Sequence, residues 1–329
     1  METQVNRNKL IVLIAAFAAV YIFWGSTYLA IKYTIETLPP FLMAGSRFAF
    51  AGGILYLIAR LSKDYERPTR AHWKTSFIVG TFLLLGGNGA VVLAQHYISS
   101  SLSALLVATE PLWIVMLSWL WLNSGRPNWK VILGLAVGFV GVWLLITGQP
   151  AAANGPGGYG QLIGMFAVMA GALSWATGSI YGLKAKTPKS SILTAGMQML
   201  AGSVSLTLVG LLRGEHTTFD PAAVSANSVY ALFYLIIFGS LIGFTAYSWL
   251  LKNAQPAMVS TYAYVNPVIA VLLGWGIAGE SLTAQTLIAA FIIVVSVALI
   301  TANKNEKNDE GETEAESPVC DRPAFSTSS

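Results

Sequence analysis

Two fully charged side chains, Arg47 and Glu110, stand inside long apolar runs and away from their ends. An ionisable group in such surroundings is expensive, and it is kept there for a partner, a polar cavity or a proton. Counted inward at about 1.5 Å per residue, each lies roughly 9 to 12 Å from the same-side end of its run, so the two can meet at one depth. Two chemistries follow. As an ion pair they would lock two segments together, or Arg47 would reach out to the nearer interface. As a titrating site, Glu110 would bind and release a proton beside the guanidinium.

Glu110 is followed by Pro111 and Asn266 by Pro267, each pair in mid-run. A proline there frees a backbone carbonyl one turn earlier, which a membrane tolerates only where protein or a wet cavity satisfies it. Helices broken at corresponding places point to a binding site, and a plain kink without a ligand is the competing reading. The aromatic side chains Trp24, Tyr28, Trp113, Trp175, Tyr181, Tyr247 and Tyr262 also fall within the runs. Tyr262 is one turn from Asn266 on the same helix face. Such rings either line a pocket for amphipathic or cationic solutes or anchor at the interface, as expected of Trp73 and Trp129. Asn88 and Gln198 are further uncharged candidates for the pocket.

The elements that must position these groups are ten apolar stretches of about twenty residues, the length a helix needs to cross a hydrocarbon layer of about 30 Å. They cover approximately 10–31, 41–61, 74–94, 102–122, 130–148, 160–182, 191–212, 228–250, 257–278 and 283–302. Only 10% of the residues are charged and 55% are hydrophobic. Soluble domains carry about 25% charged residues, so a water-soluble fold is excluded. The expected fold is therefore an all-α integral membrane protein. The first run extends through Lys32 without a small-residue cleavage pattern, so it is expected to remain as a span. Cys320, the single cysteine, lies in the tail and permits no internal disulfide.

Basic residues sort the connections. Arg7 and Lys9 precede the first run, and Arg60, Lys63, Arg67, Arg70 and Lys74 fill the second connection. Arg126 and Lys130, then Lys184, Lys186 and Lys189, then Lys252, mark the fourth, sixth and eighth, and Lys304 and Lys307 follow the last run. The odd-numbered connections hold Lys32 and Arg213 alone. Because basic loops stay on the cytoplasmic side, both termini are expected in the cytoplasm. The net charge of +4 is then a topology signal and implies no nucleic-acid partner.

The chain also repeats itself. FWGSTYLAIK (Phe23 to Lys32) aligns with WATGSIYGLK (Trp175 to Lys184), Ala44-Gly45 with Ala195-Gly196, Glu110-Pro111 with Asn266-Pro267, and Trp119 with Trp275. Five runs per half is odd, so the second copy must enter the membrane from the opposite face, as in secondary transporters with a midplane site between inverted repeats. The expected divisions are a cytoplasmic N-terminus 1–9, a first five-helix repeat 10–148, an external uncharged linker 149–159, a second five-helix repeat 160–302, and an acidic, disordered tail 303–329. Gly134, Gly138 and Gly141 give the fifth run a small-residue face for close helix packing, within a monomer or across a dimer.

On WGSTY (24–28), PPFLMAGSRF (39–48), GNGAVVLAQH (87–96), ATEPLW (108–113), STYAYVNPVIAVLLG (260–274) and GESL (279–282), the chain resembles the EamA family of the drug/metabolite transporter superfamily. The resemblance covers residues 10 to 302. It implies ten helices as two inverted EamA repeats around a central cavity, in the inner membrane. It also implies export of amino acids or other small amphipathic metabolites and drugs.

The rival classes are a membrane-embedded enzyme and a receptor or scaffold. The sequence has no His-Glu-x-x-His zinc pattern, no Gly-x-Ser-x-Gly elbow and no Walker A loop, and His72, His96 and His216 are isolated in or near connections, as solvated side chains would be. No enzyme activity, metal or cofactor is expected, and the expected partners are a small-molecule solute and the lipid bilayer. Without a nucleotide-binding loop, an ion gradient or the solute's own gradient must supply the energy.

Overall fold

The computed structural model describes residues 2–63, 65–122, 129–147, 159–254, 259 and 262–296 of the 329. The expected linker up to residue 158 and the acidic tail lie outside the described residues. In chain order the apolar helices are α1 (Leu10–Thr34), α2 (Pro40–Leu61), α3 (Arg70–Ala94), α4 (Ser100–Trp121), α5 (Trp129–Thr147), α6 (Tyr159–Lys184), α7 (Ser191–Leu212), α8 (Ala226–Leu250), α9 (Tyr262–Gly276) and α10 (Ala284–Ser296). Seven of them are long and apolar enough to cross a membrane. The apolar stretches of α5, α9 and α10 are shorter, at Ile132–Gly141, Val265–Gly276 and Ala284–Ser296. No strand occurs among the described residues.

Local chemistry sets where the helices begin. Pro40 occupies the first position of α2, where its missing N–H costs nothing. Ser99, Ser190 and Ser225 accept hydrogen bonds from the first-turn amides of α4, α7 and α8. Thr69 and His72 cap α3 reciprocally, so His72 is a buried structural group and not the solvated loop side chain that its position in the sequence suggests. Two acidic residues serve the same end of the bundle. Gly214 and Gly279 both adopt left-handed φ (74° and 64°), and each turns the chain so that the next residue is a buried glutamate. Glu215 accepts from the Phe41 and Leu42 amides at the start of α2. Glu280 accepts from the amides and hydroxyls of Ser100 and Ser101 at the start of α4, and from Lys32 Nζ at 2.9 Å.

Glycine permits the helices to approach closely. A Cβ on Gly52 of α2 would lie 2.8 Å from Met199 Cβ of α7, and one on Gly196 of α7 would lie 2.8 Å from the Tyr56 amide of α2. Gly80 meets the Gln198 carbonyl of α7, and Gly171 of α6 would place a Cβ 2.8 Å from Ala90 of α3. Backbones in van der Waals contact are how apolar helices associate where lipid offers no hydrophobic advantage. In α5, Gly138 and Gly141 pack on Ser296 and Ile293 of α10, so this small-residue face is covered within the chain. The interior centres on Phe48, Leu84, Leu206 and Leu235, while large apolar side chains such as Phe166 and Phe291, 68% and 70% exposed, cover the outside. An apolar exterior of this kind matches lipid.

Candidate functional site

A cavity of about 750 Å³, counting its open mouth, lies among α1, α2, α3, α4, α6, α8 and α9. It forms where the helices depart from regular α geometry. The backbone widens to π-helix at Val20–Trp24 in α1, at Thr81–Gly89 in α3 and at Leu235–Ile242 in α8. Between Val107 and Glu110, α4 is interrupted. Each departure puts a residue on the wall: Trp24, Gly87 and Asn88, Gly239, and Glu110. Wide turns of this type expose side chains and backbone that a regular helix would hide, and they concentrate at functional sites. Pro267 behaves differently from Pro111. It sits inside α9, which runs continuously from Tyr262 to Gly276, so the expected second break is a proline accommodated within a helix at the loss of one backbone hydrogen bond.

One part of the wall is aromatic. Trp24 meets Trp175 edge-on at 6.1 Å between ring centroids and Tyr262 at 5.4 Å, both near 87°. Tyr247 packs against Trp24 at 4.9 Å, tilted by 42°, and meets Tyr262 edge-on at 5.8 Å. Trp24 is fixed further by its indole N–H, which donates to the Gly239 carbonyl at 3.1 Å. Edge-to-face packing of this kind holds the rings rigidly and presents their faces to a solute.

The charged groups occupy the same cavity and do not pair with each other. No ion pair within 4 Å joins Arg47 and Glu110, which corrects the expected lock between α2 and α4. The physical reason is that each already has a neutral partner. Tyr262 donates its hydroxyl to Glu110 at 3.1 Å from both carboxylate oxygens. Arg47 Nε donates to Ser240 Oγ at 2.8 Å, and its Cζ lies 4.7 Å over the Phe48 ring. Arg47 is buried, so it does not reach out to an interface either. Several buried polar atoms of the wall have no hydrogen-bond partner among the described residues: Arg47 Nη1, Asn88 Oδ1, Asn266 Oδ1 and Trp175 Nε1. Unpaired buried polar atoms are rare and costly, and four of the ten among the described residues lie on this wall.

Of the residues expected at the site, Trp24, Tyr28, Arg47, Asn88 and Glu110, together with Trp175, Tyr262 and Asn266, line this cavity. Tyr247 packs behind its aromatic wall. Trp113 packs against Leu117, Ala176 and Ile180 and meets Phe139 edge-on, away from the cavity. Tyr181 is exposed on α6, and Gln198 faces α3 through its backbone. Sequence reasoning missed Thr27 and Phe48 and the bare backbone at Gly87, Gly171 and Gly239. It also missed Ser240, which holds Arg47. No cluster of three metal-ligating side chains occurs among the described residues.

Residues 10–147 and 162–302 match the EamA-like transporter family. The chain is 37% identical over 299 residues to the uncharacterized inner membrane transporter YedA of Escherichia coli K12, spanning 90% of this chain and 93% of that protein. It is 27% identical over 291 residues to the uncharacterized transporter YvbV of Bacillus subtilis, spanning 88% and 92%. A solved crystal structure sharing 21% identity superposes with a TM-score of 0.61 over 89% of this chain and 98% of that one, which extends the likeness to the fold. The chain belongs to the EamA-like transporter family.

Proposed function

We propose that the protein is a secondary-active transporter of the inner membrane that exports amino acids or other small amphipathic metabolites by alternating access. The observation that carries this reading is the cavity itself, which combines an aromatic wall with one buried guanidinium and one buried carboxyl group that leave each other free. A solute with both polar and apolar parts suits such a lining.

The reading includes ten spans in two inverted repeats, with both termini cytoplasmic. Reciprocal contacts support it. Gly45 abuts Thr207 and Ser203, and Gly196 abuts Tyr56 and Gly52. The shift that aligns Gly45 with Gly196 also aligns Gly52 with Ser203 and Tyr56 with Thr207, so each contact recurs with its partners exchanged. Trp24 and Trp175, at the starts of the two aligned segments, also touch each other. Gly87 packs on Trp175 and Gly243 on Trp24, again an exchanged pair. Such exchange is the signature of two copies related by a two-fold axis. The π-helical segments of α3 and α8 fall at matching places in the two halves. Cysteines introduced at Asn154 and Asn305 are expected to label from opposite faces of the membrane, and labelling from one face would exclude the inverted arrangement.

Solute flux into sealed vesicles containing only this protein tests the function. Uptake of labelled amino acids driven by their own gradient or by a proton gradient is the expected result. Binding without flux would support a receptor, and chemical conversion of the solute an enzyme.

A further inference from the structure

Arg47 is 3% exposed, deep in the bundle, and its partners among the described residues are neutral. A buried guanidinium is tolerated when its charge is compensated. Glu110 lines the same cavity but is held by Tyr262, beyond ion-pair distance. The guanidinium is nonetheless firmly seated. Ser240 takes Nε, the Phe48 ring covers one face, and Gly239 leaves room for Nη2, since a Cβ there would stand 2.7 Å from that nitrogen. Gly239 and Ser240 are consecutive in the π-helical segment of α8, which therefore forms a cradle contributed by the second half of the chain for a cation contributed by the first. The seat leaves Nη1 buried and without a partner among the described residues. A planar donor fixed on its other edges is a preorganised point for one oxyanion.

Building on the transport reading, we infer that Arg47 Nη1 is the docking point for a carboxylate of the transported solute. One unpaired N–H serves a single oxyanion, and Glu110 in the same cavity opposes a second negative charge whenever it is ionised, which favours a monoanion over a phosphate ester. The aromatic wall at Trp24 and Tyr262 then receives the apolar part. This separates two solute classes that the aromatic wall alone would treat alike, because amphipathic cations without a carboxylate leave the guanidinium uncompensated.

The test uses the purified full-length protein and four probes that share one ring: phenylalanine, phenethylamine, hydrocinnamate and phenyl phosphate. In detergent, hydrocinnamate is expected to raise the melting temperature, with phenethylamine without effect and phenyl phosphate weaker. Arg47→Met is expected to abolish the hydrocinnamate shift, and Arg47→Lys to retain part of it. In vesicles, phenylalanine is expected to move at least about tenfold faster than phenethylamine, the factor for one hydrogen bond to a charged group. Should Arg47→Met fail to fold, Ser240→Ala, which removes only the Nε partner, is expected to weaken the hydrocinnamate shift. A wild-type protein stabilised equally by phenethylamine, better by phenyl phosphate, or not at all by hydrocinnamate would overturn the inference. A hydrocinnamate shift that depends on Arg47, with no flux of any probe, would uphold the binding site and overturn the transport reading instead.

Discussion

Two buried glutamates, Glu280 and Glu110, are treated in opposite ways by the same fold. Glu280, 8% exposed, accepts five hydrogen bonds, from the amides and hydroxyls of Ser100 and Ser101 and from Lys32. Its neighbourhood is so tightly built that Gly274 could carry no side chain without striking it. Glu110, 3% exposed, accepts from Tyr262 alone among the described residues and faces a cavity. Burial raises the pKa of Glu280, but the bonds from Ser101, Lys32 and Ser100 outweigh it and hold the group at about 2. A carboxylate so compensated is committed to its charge and to tying α1, α4 and the α9–α10 connection together. Glu110 has no such commitment, which leaves it available for a solute or a proton. Burial by itself does not mark a functional ionisable group. What marks it is how few of its lone pairs the protein satisfies.

The comparison breaks most visibly at Glu280. Glu280→Ala strands Lys32 and the first amides of α4, and is expected to cost on the order of 1 to 3 kcal/mol, as leaving buried donors without their acceptor does. Thermal unfolding in detergent measures it, and an unchanged melting temperature would erase the distinction. The same site gives a pH dependence. Because the folded pKa of about 2 lies below the ordinary 4.5, the unfolded chain binds the proton more readily. The contribution of Glu280 to stability is therefore complete above the ordinary value and is lost as the pH falls towards 2. Glu280→Ala is expected to flatten this part of the acid limb.

Glu110→Gln should change melting by about 1 kcal/mol or less, since a neutral acceptor for Tyr262 remains, while proton-driven accumulation disappears and downhill exchange survives. Normal pH-dependent transport by this variant would remove Glu110 from the role of proton carrier. The smallest effect is expected on the aromatic wall. Trp24→Ala should lower transport more than folded yield, because a ring contact with the solute is lost, whereas Trp129→Ala, at a position 67% exposed, should spare both. Equal losses would reduce the wall to a packing role.

Much of this could be read from residue types. Runs of apolar residues located the helices, and Glu110, Asn266 and the ringed residues of α1 and α9 pointed to the cavity, because an intramembrane polar group is costly enough to signal itself in one dimension. The partners were not legible. Ser240 lies 193 positions from Arg47, and Glu280 lies 180 from Ser100, so neither pairing leaves a local pattern. The widening of α3 and α8 into π-helix carries no proline or charge to announce it. Trp113 and Tyr181 misled for a related reason, since a ring's type says nothing about which helix face it occupies. Pairing Arg47 with Glu110 by depth alone failed because a hydroxyl on a third helix reached each of them first.

The most direct measurement is labelled phenylalanine uptake into proteoliposomes containing the wild-type protein or Glu110→Gln, with and without an imposed proton gradient. If the cavity is the transport site and Glu110 its uncommitted charge, the wild-type protein accumulates the amino acid only with the gradient, and the variant equilibrates it without accumulation. Accumulation by the variant equal to the wild type, or no uptake by either protein, would contradict the account.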